Sequence, residues 1–197
     1  LAAEHRWLLT SARIHAATAL CDDDLHVRSV PLWQDVTRDL AAGVSADPEC
    51  ADHLLVAGAL GYGRFCVETG RLAEAEPWLR RAGARAQQRG WELATARAQL
   101  ERAAASWSAG DHVTTGRLVD EAYPAISAHA RAHDVARCWL YRGLIGIAMG
   151  ALQHADECWG HAERHWRELG KPLYIHRILL QRSWIPIFFG RYPEAVE

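Results

Sequence analysis

Apolar residues recur along most of the chain at offsets of three, four and seven, which is one face of an α-helix, and no segment reads as a β-strand. The pattern predicts helices near 2–20, 31–43, 50–69, 72–89, 91–109, 112–131, 134–149, 151–169, 172–189 and 191–197. Residues 21–31 (CDDDLHVRSVP), with three acids and a proline, read as a loop, as do residues 44–49 (VSADPE). Asp134 has the side chain of an N-cap for the seventh helix. Gly90 and Gly170 suit the position just past a helix end, and Pro172 suits a first turn. Pro77, Pro124 and Pro186 fall inside predicted helices, where a missing N–H and a ring clash kink or end the element.

The helices are organised by a repeat. Glycines stand at Gly70, Gly110, Gly150 and Gly190, an interval of 40 residues each time. Five residues after them come Ala75, Thr115, Ala155 and Ala195; nine after, Leu79, Val119 and Trp159; twelve after, Ala82, Ala122 and Ala162. These offsets share one helical face. Seven before the glycines come Gly63, Ala103, Gly143 and Ser183, all small; ten before, Leu60, Leu100, Leu140 and Leu180. Two further columns carry arginine: Arg97, Arg137 and Arg177 at thirteen before, and Arg102, Arg142 and Arg182 at eight before. Each unit therefore reads as helix, glycine turn, helix. The small residues admit a neighbouring helix closely, and stacked neighbours supply the core that one hairpin cannot bury alone.

These columns resemble the tetratricopeptide repeat, most completely at Gly143, Gly150, Ala155, Trp159 and Ala162, with Trp139 early in the first helix of that unit. The resemblance implies an all-α fold, a right-handed superhelical solenoid of antiparallel helix pairs. Residues 1–49 would form a divergent or capping pair, and 50–197 the repeats, the last one truncated. In that family the early positions of the first helix line a concave groove. Carried over, this places Arg97, Arg137, Arg177, Leu100, Leu140 and Leu180 in the groove, with Trp107 and Trp184 facing the groove or the next unit. The arginines would hold an acidic or amphipathic partner, since guanidinium binds carboxylate bidentately. Equally, both arginine columns fit salt bridges between helices, repeated because the unit repeats.

The 40-residue unit is longer than the family's usual one. In that respect the chain resembles the helical sensor region of large ATP-binding bacterial transcription regulators of the LuxR-like and maltose-activator type. This implies a non-catalytic, cytoplasmic segment for signal transduction that binds a protein, a peptide or a small inducer, with ATPase and DNA-binding domains elsewhere in a longer protein. A stand-alone tetratricopeptide adaptor is the alternative, and a metal-dependent helical enzyme the third reading.

Composition changes this picture little. Half of the 197 residues are apolar and 23% are charged, as in globular proteins generally. The net charge of −2 gives no nucleic-acid bias, and no helix-turn-helix signature or basic stripe appears. Lys171 is the one lysine and asparagine is absent, a bias that fits a GC-rich bacterial genome. The five cysteines are odd in number and lack CxxC spacing, which argues for free thiols in a reducing compartment. No run of 18 apolar residues suggests a membrane span, and no signal peptide begins the chain.

Little catalytic chemistry is visible. Lys171 sits in ELGKPL without the glycines or the Ser/Thr of a phosphate loop, so no cofactor is expected. His154, Cys158, His161 and His165 form a stripe on one helix, and imidazole with thiolate suits zinc. One straight helix cannot close a tetrahedron around an ion, so His129 or His133 would have to help; a polar helix face with incidental histidines is the plainer reading. No serine sits in a nucleophile elbow. The neighbouring acids Asp120–Glu121 and Asp156–Glu157 diverge around their helix and read as solvated faces.

Overall fold

A computed structural model describes residues 3–43, 47–129 and 132–188. Among them the chain is all-α, with nine helices and no strand: α1 (Ala3–Asp22), α2 (His26–Ala42), α3 (Pro48–Glu68), α4 (Leu72–Gln88), α5 (Glu92–Ser108), α6 (His112–Ala128), α7 (Ala132–Ala148), α8 (Leu152–Glu168) and α9 (Pro172–Phe188). The predicted helix at 191–197, with Gly190 and Ala195, lies outside the described residues.

From α4 onward every helix has 17 residues, and from α5 onward each starts 20 after the one before. The 40-residue unit is thus two equal helices with short connections. Gly70, Gly90, Gly150 and Gly170 end α3, α4, α7 and α8 with φ between +61° and +75°. At each, the glycine N–H and the following N–H bond back to carbonyls of the last turn, as Gly70 does to Val67 (3.1 Å) and Arg71 to Cys66 (2.7 Å). That double closure needs a left-handed residue, which glycine adopts without a Cβ clash.

Three expectations need correction. Residues 26–31 are not loop. They are the start of α2, and the connection shrinks to Asp23–Leu25, with Asp24 at φ +62°. Pro31 is tolerated because it removes one backbone bond near the start of a helix whose Ser29, Trp33, Val36 and Leu40 are buried. Pro77, Pro124 and Pro186 likewise lie within α4, α6 and α9 without ending them. Asp134 is not a cap. It is buried in the first turn of α7, which begins at Ala132. Among the described residues, Asp47 caps α3, accepting from the N–H groups of Glu49 and Cys50, and Asp111 caps α6, accepting from Thr114.

The chain divides into two compact units, Leu1–Ala109 and Gly110–Glu197. In the first, α1 packs on α2 and α3, and α3 on α4 and α5. Glycines on α3 set the spacing there. Gly58 meets Leu40, Ile14 and Val36; Gly61 faces the Trp33 indole; Gly63 faces Leu79. In the second, α7 packs on α6 and α8, and α8 on α9. Its core joins Ala136, Trp159, Ala162, Trp166, Ile178 and Ile185. Ala75, Ala82, Ala122, Ala155 and Ala162 are fully buried in their own units. The five cysteines are free. Among the described residues no helix is long and apolar enough to cross a membrane.

Candidate functional site

A cleft of about 580 Å³ lies on α6, α7 and the start of α8 in the second unit. Small residues shape it. Gly116 on α6 leaves room where a side chain would stand, and Gly146 lets α7 approach the Ala155 Cβ of α8. Trp139, Ile145 and Met149 supply the apolar lining, Asp120, Arg142 and His154 the polar one. Met149 is 78% exposed.

Arg142 organises the polar edge. Its guanidinium lies 4.2 Å from the Tyr123 ring centre and 4.9 Å from that of Trp139, and it donates to Asp120 Oδ1 at 2.9 Å. Tyr123 and Trp139 meet edge to face, and His161 stacks on Trp139 with ring centres 4.4 Å apart. Two rings hold the cation in place, while the Asp120 side chain is 70% exposed. The guanidinium is thus positioned by the rings, and its acid partner is solvated.

Asp120 lies on a solvated face, as its spacing implies, and α7 brings Arg142 to it. Asp156 pairs in the same way with Arg182, which donates to it at 2.8 Å and to the buried Glu163 at 2.6 Å; the bonds to Asp156, then to Glu163, raise the Arg182 pKa. Arg102 lies 3.5 Å from Glu76. The second arginine column is occupied by inter-helix ion pairs.

The predicted groove residues do not share one environment. Arg97, Leu100 and Trp107 are on α5 in the first unit; Arg137 and Leu140 are on α7, and Arg177, Leu180 and Trp184 on α9, in the second. Leu100 is fully buried and Arg137 only 7% exposed, so neither presents a surface to a partner. Equal spacing in the repeat therefore does not give equal exposure. Leu180 and Trp184 are exposed, and Arg177 lies 5.9 Å from the Tyr174 ring centre.

The histidine stripe on α8 does not assemble a ligand set. His154 Nε2 is 3.5 Å from Cys158 Sγ, but His161 is turned onto Trp139 and accepts from Arg164, and His165 lies 3.8 Å from Glu168. His133 meets Tyr174 edge to face. Burial, then the nearby Arg164 and His165, lower the His161 pKa. Burial raises the pKa of Cys158, opposite to the direction of an activated thiol.

Sequence reasoning missed Ile145 and Met149 and gave Asp120 no partner, while it placed Arg142 in a column of inter-helix salt bridges. The available signal was Gly146 beside Gly143, a second small residue on α7 that the repeat columns do not require.

No family model matches the chain, and no curated protein matches it. Among solved structures it is similar to the crystal structure of BtubC (BKLC) from P. vanneervenii, with a TM-score of 0.61 and 15% identity, covering 99% of this chain and 87% of that one. At that identity the likeness concerns the fold alone.

Proposed function

We propose that this chain is a non-catalytic helical-repeat scaffold, a tetratricopeptide-like solenoid that binds a protein or peptide segment through the cleft on α6–α8. The observation that carries this reading is Arg142, stacked between Tyr123 and Trp139 above an apolar floor and paired only to an exposed acid. A segment with a carboxylate next to a bulky apolar residue matches it. The carboxylate takes the guanidinium from Asp120, and the apolar side chain covers Ile145 and Met149.

Within this reading, the 40-residue unit favours the sensor arm of a LuxR-like bacterial regulator acting in the cytoplasm, with a small inducer as the other ligand class. The stand-alone adaptor has the same cleft chemistry and differs in its flanking domains.

The test is selection of random peptides displayed against the protein. Enriched peptides should carry an acid beside a large apolar residue, and Arg142→Glu should weaken them at least tenfold with helix content unchanged. Peptides without such a pattern, or undiminished binding by the variant, would overturn the proposal.

A further inference from the structure

The first unit holds a cluster that the cleft does not use. Cys21 closes the last turn of α1, His26 opens α2, and Glu68 ends α3. Their sulfur, nitrogen and oxygen atoms lie within 4.8 Å of one another. No other group of three such ligand types converges among the described residues.

We infer that Cys21, His26 and Glu68 bind one divalent transition-metal ion of the zinc class, which ties the ends of α1, α2 and α3 together. Three features of the geometry carry this. First, the imidazole is set as a ligand. His26 Nε2 lies 3.0 Å from Asp24 Oδ1, and an ionised carboxylate only accepts, so Nε2 carries the proton. In the neutral ring this leaves the lone pair on Nδ1, which is buried, has no hydrogen-bond partner among the described residues, and lies 3.8 Å from Glu68 Oε2. A carboxylate behind a metal-binding histidine is the usual orienting contact.

Second, Glu68 is held by one oxygen only. Arg64 Nε donates to Oε1 at 2.7 Å, and Arg64 also pairs with Asp22 at 2.8 Å. Oε2 is left on the His26 side. Third, charge balances. A thiolate and a carboxylate offset the two charges of the ion, while the Arg64 charge is met by Asp22 and the other side of Glu68. The C-terminal ends of α1 and α3, negative in the helix dipole sense, both point here.

Binding exchanges one proton for one ion. The Cys21 thiol, which now donates to Ser29 Oγ at 3.5 Å, releases its proton to solvent and forms the metal–sulfur bond. Bonds of about 2.0–2.3 Å to S, N and O draw the three ligands together, and water completes a tetrahedron. This mixed donor set suits zinc or cobalt(II) over calcium or magnesium, which prefer oxygen alone.

The test uses the chelator-treated protein titrated with cobalt(II), then with zinc against a chromophoric chelator. One equivalent of cobalt should give a thiolate-to-metal charge-transfer band, and zinc should displace it. Cys21→Ser should lose the band while Cys158→Ser keeps it. His26→Gln and Asp24→Asn should each weaken zinc at least tenfold, and zinc should raise the wild-type melting temperature. If Cys21→Ser fails to fold, the two surface-side variants decide, because asparagine retains the left-handed backbone of residue 24. A wild-type protein without the band, a band that survives Cys21→Ser, or wild-type affinity in His26→Gln overturns the site.

Discussion

Trp159 lies flat against Gly143 and donates its indole N–H to the carbonyl of Leu140 at 3.2 Å. The missing side chain on α7 is what admits this tryptophan of α8, and a Cβ at residue 143 would overlap the indole ring. Gly63 and Leu79 repeat the relationship 80 residues earlier, with a smaller partner.

Gly143→Leu should therefore cost about 1–3 kcal/mol through overpacking. Gly160→Ala is the control. Gly160 lies within α8, and no described atom falls within 4 Å of a Cβ placed there. That change should gain about 0.5–1 kcal/mol, the usual benefit of alanine over glycine inside a helix. Urea denaturation of both variants checks the pair; equal midpoints would contradict the packing described.

Arg137 and Arg177 occupy the same repeat column and should behave differently. Arg137 is buried, so Arg137→Ala removes a packed side chain and leaves a void, and should cost about 1–3 kcal/mol. Arg177 is exposed, and Arg177→Ala should stay within about 0.5 kcal/mol. Thermal melts of the two single variants report the difference.

Asp111 caps α6, and its bonds to Thr114, from the side chain and then the backbone N–H, lower its pKa below the ordinary 3.8. A depressed carboxyl stabilises the fold when ionised. The contribution is complete above the unfolded value and is lost as pH falls through the folded one. Asp111→Ala should melt below wild type at neutral pH, and the gap should shrink as the pH is taken below 3.8. A gap that persists unchanged in acid would mean that the cap acts otherwise.

The thiols should be labelled in order. Cys50 is half-buried, whereas Cys21, Cys66, Cys138 and Cys158 are buried. Burial pushes Cys138 up to about 12 and raises the other three. Alkylation of the native protein near pH 8 should modify Cys50 first and Cys138 last, with all five reacting in denaturant. Mass spectrometry of digested peptides reads the order.

The helices were legible because α4–α9 repeat one length, and because columns such as Leu79 with Trp159 recur in phase. The start of α2 was not, since Asp22, Asp23, Asp24 and Pro31 are what a loop would also contain. Only the burial of Trp33 and Val36 against α3 decides it. The cleft was half legible. Trp139 belongs to the repeat pattern, but the pairing of Arg142 with Asp120 depends on how α7 is rotated against α6, which spacing alone does not specify. The Cys21–His26–Glu68 cluster had no local signature. Its third member lies 42 residues beyond the second and comes near only when α3 returns beside α1.

Within each unit, every substantial helix contact joins neighbours in the chain or next-but-one neighbours, such as α1 with α3 and α3 with α5. Native contacts therefore close short loops, and little chain entropy is lost before the first hairpin is rewarded. Such a topology has low contact order. It should refold on the microsecond-to-millisecond scale, and it lets α7 and α8 begin to pair around Trp159 as soon as both have been synthesised.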